Sequence, residues 1–119
     1  LRMLAKAGAL GSHGHRHIPL STRTHAEAEA DVLQSIDYLE TVTGYPVLSF
    51  SYPYGGIDAV TRGIESVFAQ TRIRFALTMW RGLNTAADLA NPLFLRRVDT
   101  NDAPFGRSNS REYIPIGAR

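Results

Sequence analysis

The stretch THAEAEADVLQSIDYLETVTGYPVLSFSYPYGG, residues 24–56, decides the fold. Thr24 is followed three residues later by Glu27, the spacing of a capping box at a helix N-terminus. Apolar residues then recur at helical period until Gly44, a residue type that commonly ends helices. The stretch therefore predicts one long helix, with an apolar face formed by Val32, Leu33, Ile36, Leu39 and Val42.

The second half of the same stretch predicts a strand that runs into a loop. Residues Val47 to Tyr52 (VLSFSY) are rich in β-branched and aromatic side chains, which favour strands. Pro53, Gly55 and Gly56 then break the pattern, because proline fixes φ and glycine permits turns. A helix that leads into a strand is the unit of a parallel α/β fold.

The flanking sequence continues this alternation of helices and strands, which predicts either a doubly wound sheet or a slice of a (β/α) barrel. In both architectures functional residues collect in loops at the carboxyl ends of the strands. We assign residues 1–100 to one domain and residues 101–119 to an irregular tail. The predicted flanking elements are a helix over Leu1 to Ala7, a strand over Ala9 to Ser12, a helix capped by Asp58 that carries Val60, Ile64, Val67 and Phe68, and strands over Phe75 to Met79 and Phe94 to Val98.

Composition excludes several classes of function. A chain of 119 residues that is 44% hydrophobic is expected to form a single core. Lys and Arg number 13 against 11 Asp and Glu, a net charge of +2, and the arginines are scattered, so nucleic acid is not an expected partner. No apolar stretch is long enough for a membrane span. Cysteine is absent, which excludes disulfides and thiolate chemistry but does not decide the compartment.

The loop GSHGHRH, Gly11 to His17, places three histidines on alternate positions. His13 and His17 are four residues apart, so a tight loop could direct both imidazoles at one divalent metal, with zinc preferred, and leave His15 outside. Two imidazoles complete at most half of a tetrahedral shell. The alternatives are a loop that binds nothing and a purification-tag remnant, which the continuing helix and strand pattern disfavours.

Three further features allow both a functional and a structural interpretation. Tyr54 could present a backbone N–H to an oxyanion and its ring to a sugar, or it could simply belong to a turn. Trp80 could stack on a sugar face, although a place in the core or at its rim is favoured. Arg96 and Arg97 could hold a substrate carboxylate, although an ion pair is favoured.

Taken together, GSHGHRHIPLS, the capped helix and FSYPYGG resemble the polysaccharide deacetylase family, also called the NodB-homology domain or carbohydrate esterase family 4. The resemblance covers Leu1 to Val98 and implies a partial (β/α) barrel. It implies that His13 and His17 are metal ligands, and that the backbone N–H of Tyr54 binds the oxyanion in a groove lined by Pro53, Tyr54, Gly55 and Trp80. The YPYGG loop and the segment Leu95 to Val98 resemble those of exopolysaccharide deacetylases in particular.

The sequence also departs from the family pattern. The family's Thr-Phe-Asp-Asp-Gly segment, on its first strand, would lie before Leu1. The arginine that often opens the family's Pro-Tyr-Gly motif is Ser51 here. Neither the family's Asp-x-x-Asp-Trp segment nor its late Leu-x-His segment is found in this sequence. The resemblance therefore implies a fragment, without the first strand, of a zinc-dependent deacetylase that removes N- or O-acetyl groups from a carbohydrate polymer. We expect the isolated chain to be inactive and prone to self-association. The alternatives are a non-catalytic carbohydrate- or partner-binding remnant and a purely structural domain.

Overall fold

The computed structural model of the chain describes residues 1–102, so most of the predicted tail, residues 103–119, lies outside the described residues. No helix in the described range is long and apolar enough to cross a membrane. Four helices and three strands form the domain: α1 (Arg2–Lys6), α2 (His25–Thr43), β1 (Ser49–Ser51), α3 (Glu65–Phe68), β2 (Phe75–Arg81), α4 (Ala86–Ala90) and β3 (Leu95–Arg97). Short 3-10 turns cover Leu20–Thr22, Pro92–Phe94 and Thr100–Asp102.

The strands form a parallel sheet in the order β1-β2-β3. Phe50 of β1 lies opposite Ala76 of β2, and Leu77 of β2 lies opposite Leu95 of β3. An irregularity between Leu77 and Arg81 shifts the register before Arg81 pairs with Arg97. The predicted α/β class with parallel strands is confirmed, and the arrangement is that of a partial (β/α) barrel.

Helix α2 begins and ends where the sequence predicts. The Thr24 side chain accepts a hydrogen bond from the Glu27 N–H, the Glu27 carboxylate accepts one from the Thr24 N–H, and Gly44 ends the helix at φ 76°. The buried face differs in part from the predicted apolar one, because Val42 is exposed while three polar residues are buried. That face consists of Ala28, Asp31, Val32, Ser35, Ile36 and Thr43.

The core lies between the helices and one face of the sheet. Alternation along the strands directs Phe50 and Ala76 toward the helices, where Phe68 packs against Phe50 with ring centroids 5.3 Å apart. The opposite face carries Leu77 and Met79, which stay half-buried or exposed. In residues 1–102 one side of the sheet is thus well covered and the other is open.

Several predicted elements are shorter than expected. The strand over Ala9 to Ser12 is reduced to a single bridge between Ser12 and Phe50. The helix predicted from Asp58 starts only at Glu65, because the intervening residues form turns and the residue before α3 supplies no side-chain cap. The last strand begins one residue late, since Phe94 belongs to a 3-10 turn.

Helix α4 was not predicted. Its N-terminus has a capping box in which the Thr85 side chain accepts from the Asp88 N–H and the Asp88 carboxylate accepts from the Thr85 N–H. Asp in place of Glu or Gln at the third helical position hides this signal from the usual motif. The helix has only five residues and none of them is buried, so no apolar periodicity marks it.

Candidate active site

The histidine loop starts from a fixed point beside the sheet. The Ser12 N–H donates to the Ser49 carbonyl at 2.9 Å, and the Ser51 N–H donates to the Ser12 carbonyl at 2.8 Å. The Ser12 hydroxyl also hydrogen-bonds the Ser35 hydroxyl of α2 at 2.6 Å. Strand β1 and helix α2 together therefore set where the next residue, His13, leaves the sheet.

His13 and His17 come together as the four-residue spacing predicts. Their ring centroids are 4.7 Å apart with the planes inclined by 67°. Nδ1 of His13 lies 2.6 Å from the Ser51 carbonyl oxygen, which can only accept a hydrogen bond. Nδ1 therefore carries the proton, and in the neutral imidazole Nε2 is left as the lone-pair donor.

Asp31 holds the part of the loop between the two histidines. Its buried carboxylate accepts from the His15 N–H at 3.0 Å, from the Arg16 N–H at 3.0 Å and from Arg16 Nε at 3.1 Å. Gly14 has φ +79°, and a Cβ there would lie 2.9 Å from Asp31 Oδ2. A glycine is thus required for the chain to pass this close to the carboxylate.

Within residues 1–102 two residues other than glycine have positive φ, His17 at 53° and Tyr54 at 62°. Their rings touch, with centroids 5.0 Å apart. The Gly55 N–H donates to the Pro53 carbonyl at 2.7 Å, so Tyr54 is the centre of a three-residue turn of the rare γ type. Non-glycine residues in this backbone region cost about 1–3 kcal/mol and cluster at functional sites.

The turn at Tyr54 is held against β2. The Met79 N–H donates to the Gly55 carbonyl at 2.8 Å, and a Cβ on Gly55 would lie 2.7 Å from the Met79 nitrogen. The N–H of Tyr54 itself donates to no acceptor in residues 1–102. The turn therefore leaves a backbone donor without an acceptor in residues 1–102, on a residue whose ring contacts His17.

These elements surround an open cleft of about 450 Å³ at the carboxyl end of the sheet. Burial raises the pKa of the Tyr52 phenol well above its usual range, and its hydroxyl donates to the Leu93 carbonyl at 2.8 Å, so it stays protonated. No carboxylate lines the cleft in the described part of the chain. The lining residues are His13, His17, Ser51, Tyr52, Tyr54, Met79 and Arg97.

Arg97 lines the cleft, and residues 1–102 do not supply the ion pair that the sequence favoured for it. Nε donates to the Thr78 carbonyl at 2.7 Å, and Nη2 lies 3.3 Å from the Ser51 hydroxyl and 3.1 Å from Met79 Sδ. No carboxylate of residues 1–102 lies within ion-pair distance. Arg96, its neighbour in β3, is exposed and does not line the cleft.

The other predicted site residues lie nearby but do not line the cleft. Pro53 is buried beneath the loop, with Cγ 3.4 Å from the position of a Cβ on Gly14. His15 is exposed outside the pair, as expected. Trp80 lies on the core side of β2, where its ring stacks on that of Phe94 with centroids 6.1 Å apart. This is the core or rim position that the sequence favoured for Trp80 over stacking on a sugar.

The described residues fit part of a metal shell. His13 offers Nε2 with its Nδ1–H held by a backbone carbonyl, the outer contact typical of metal-binding histidines, and His17 is adjacent. No group of three or more His, Cys, Asp or Glu residues that could hold an ion is found in residues 1–102. The two imidazoles therefore supply two ligands, and the remainder would come from water, substrate or residues outside this range.

Comparison with known proteins agrees with this geometry. A family model described as Polysaccharide deacetylase matches residues 1–72, which include the histidine loop, α2, β1 and the Tyr54 turn. The chain belongs to the polysaccharide deacetylase family. The match ends before β2 and β3, so Met79 and Arg97 lie outside the matched part of this deacetylase domain.

A solved structure supports the same family and fold. The crystal structure of a polysaccharide deacetylase from Bacillus cereus superposes with a TM-score of 0.63 at 25% identity and covers 82% of this chain. The chain spans only 30% of that deacetylase. No curated protein matches the sequence.

Sequence reasoning missed one residue of the site, Asp31. Asp31 lies three positions after Ala28 and directly before Val32, so helical periodicity places it on the apolar face of α2. A carboxylate on an apolar face was the signal that could have identified it. The sequence named Arg97 together with Arg96, but it could not predict which of the two lines the cleft, because that depends on the pairing of β2 with β3.

Proposed function

We propose that this chain forms part of the catalytic domain of a metal-dependent polysaccharide deacetylase. The reaction would hydrolyse N-acetyl or O-acetyl groups on a carbohydrate polymer and release acetate. The observation that carries the proposal is the adjacent pair His13 and His17, with Nδ1 of His13 bound to the Ser51 carbonyl. The family to which the chain belongs has the same chemistry in its name.

His13 and His17 would hold a divalent metal, and neutral imidazoles favour Zn²⁺. When bound, such an ion polarises the acetyl carbonyl and lowers the pKa of its water. The hydrogen bond from His13 to Ser51 selects the tautomer in which Nε2 carries the lone pair of the neutral ring, and it fixes the ring plane. The contact of His17 with the Tyr54 ring restricts the second imidazole in the same way.

Tyr54 would contribute through its main chain. Its N–H has no acceptor in residues 1–102 and belongs to a residue that lines the cleft, so it is available to an oxygen that gains negative charge. The strained turn fixes this donor before substrate arrives. The exposed Tyr54 ring and Met79 offer apolar contacts to a sugar.

A general base is not supplied by the described cleft, since none of its lining residues is acidic. The chain also spans less than a third of the Bacillus cereus deacetylase. We therefore propose that the base comes from residues outside those described and that the 119-residue chain is inactive by itself. The lack of a carboxylate also suits the alternative of a non-catalytic carbohydrate-binding remnant.

The test measures acetate release from an acetylated chitooligosaccharide by the 119-residue chain and by the same chain extended in its natural reading frame, each with and without Zn²⁺. We expect zinc-dependent release only from the extended protein, and its loss in His13→Ala but not in His15→Ala. No release from either protein would favour the binding remnant. Clear turnover by the 119-residue chain would show that the base lies within it, and Asp99 and Asp102 would then be the first residues to change.

A further inference from the structure

We propose that Arg97 is a positioning residue that holds both sides of the cleft. It belongs to β3, yet its guanidinium lies across the middle strand β2 and reaches β1. Nε donates to the Thr78 carbonyl at 2.7 Å, while Nη2 donates to the Ser51 hydroxyl at 3.3 Å and to Met79 Sδ at 3.1 Å. One planar charged group thus connects the three strands of this sheet at their carboxyl ends.

The first arm of this connection leads to His13. Ser51 follows Phe50, which faces the helices, so alternation along β1 places the Ser51 side chain on the open face of the sheet, within reach of Arg97. The same residue presents its carbonyl to Nδ1 of His13 at 2.6 Å. Strand β1 is only three residues long, so a side-chain contact at its last residue adds a restraint on where that carbonyl points.

The second arm leads to the turn at Tyr54. The Met79 N–H donates to the Gly55 carbonyl, and a Cβ on Gly55 would lie 2.8 Å from Met79 Cγ, so the Met79 side chain packs closely on the turn. Met79 is 46% exposed and its side chain is unbranched and flexible, so the contact with Nη2 of Arg97 selects one of several rotamers. Arg97 therefore restrains the residue on which the strained turn rests.

The contacts of Arg97 depend on the shape of its head group as well as on its charge. A lysine ammonium is a point donor on a flexible stem, whereas the guanidinium holds Nε and Nη2 in one rigid plane. Any consequence for metal binding rests on the proposed function, in which His13 is a ligand. The orientation of His13 and of the turn is a property of the metal-free chain and can be measured without that assumption.

The test of the first arm uses imidazole nitrogen shifts of the metal-free 119-residue chain, which give the ratio of the two tautomers of neutral His13. We expect Arg97→Gln to lower the ratio of the Nδ1–H to the Nε2–H form at least about threefold, within the range of coupling between residues in one hydrogen-bond network. Arg96→Gln is the matched control, because it removes the same charge from the neighbouring residue of β3, and it should leave the ratio unchanged. Ser51→Ala keeps the carbonyl and removes only the hydroxyl contact, so it should cause part of the change and add nothing to Arg97→Gln.

The test of the second arm is amide hydrogen exchange at Met79, whose N–H is bonded to the Gly55 carbonyl. Arg97→Gln should speed this exchange at least about fivefold by easing local opening of the turn. The Arg74 N–H, bonded to the Leu48 carbonyl at the other end of β2, is the internal reference for opening of the whole domain. Its exchange should change less than about twofold.

Arg97→Lys separates geometry from charge and is the second variant should Arg97→Gln fail to fold. It should shift both readouts in the same direction as Arg97→Gln. Full rescue by lysine, equal acceleration at Met79 and Arg74, equal effects of Arg97→Gln and Arg96→Gln, or unchanged readouts in Arg97→Gln would overturn the proposal. The acetate-release assay is independent: its failure removes the proposed function while the metal-free readouts still decide the role of Arg97, and unchanged readouts beside zinc-dependent release remove only this role.

Discussion

Nδ1 of His13 lies 2.6 Å from the backbone carbonyl oxygen of Ser51, across 38 positions of sequence. This contact joins the histidine loop to the end of β1 and determines which nitrogen of His13 is free to bind a ligand. The acceptor is a main-chain atom, so substitution of the Ser51 side chain would leave it in place. The geometry of the site therefore depends on the position of the strand more than on the identity of residue 51.

Zinc binding should separate the three histidines of the loop. His13→Ala and His17→Ala should each lower zinc affinity at least about tenfold, because each removes one of two adjacent ligands. His15→Ala is the matched control and should have little effect. Calorimetric titration of the 119-residue chain measures all three, and equal losses would contradict the assignment.

Asp31→Ala should destabilise the domain by about 1–3 kcal/mol, since it removes a buried carboxylate that accepts from two part-buried backbone N–H groups of the loop. Zinc affinity should fall as well, because the loop between the two ligands loses its anchor. Asp37→Asn, an exposed carboxylate on the same helix, is the control and should change neither quantity. Urea unfolding and zinc titration of both variants test this, and unchanged zinc affinity in a folded Asp31→Ala protein would show that Asp31 does not position the loop.

Tyr54→Gly should stabilise the chain by up to about 1 kcal/mol, because glycine adopts φ 62° without strain. Tyr54→Phe keeps the N–H, the ring contact with His17 and the strained backbone, so its stability should match that of the unchanged chain. Chemical denaturation measures both. In a catalytically active form of the protein Tyr54→Phe should retain most activity, and a loss of a thousandfold would instead assign chemistry to the hydroxyl.

The capping box of α2 should make stability depend on pH. Hydrogen bonds from the Thr24 backbone N–H and side chain lower the pKa of Glu27 below its usual 4.5. The stabilisation is therefore fully present above pH 4.5 and is lost as the pH falls through the lowered value. Glu27→Gln should lower the melting temperature at neutral pH and converge with the unchanged chain in acid, while Asp37→Asn should show no such convergence. A constant difference from neutral to acidic pH would contradict this role.

The open sheet should promote self-association of the 119-residue chain. In residues 1–102 the outer edge of β3 has no strand partner, and Val98 beside it is 48% exposed. Sedimentation should show concentration-dependent association that Val98→Lys reduces. Val42→Lys, which places the same charge on an exposed valine of α2, should leave association unchanged, and an equal reduction in both variants would indicate a general effect of charge.

Local sequence determined the elements whose signals are contained in neighbouring residues. The capping box at Thr24, the apolar period of α2 and the glycine at position 44 each act within a few residues, so the helix was predicted with its ends. The proximity of His13 and His17 is also determined by local sequence, because a spacing of four residues around Gly14 permits few other arrangements of the two rings. The alternation of helices and strands similarly indicated a parallel sheet.

Only the tertiary structure decided which other residues surround the histidine pair. Arg97 reaches Ser51 from a position 46 residues away, because β2 pairs with both β1 and β3. Asp31 lies on the apolar face of α2 in the sequence, but only the packing of α2 against the sheet places its carboxylate beneath the histidine loop. The local sequence thus specified the helix and the pair of imidazoles, whereas the charge and hydrogen bonding around that pair depend on strand pairing and helix packing, which bring together residues that are distant along the chain.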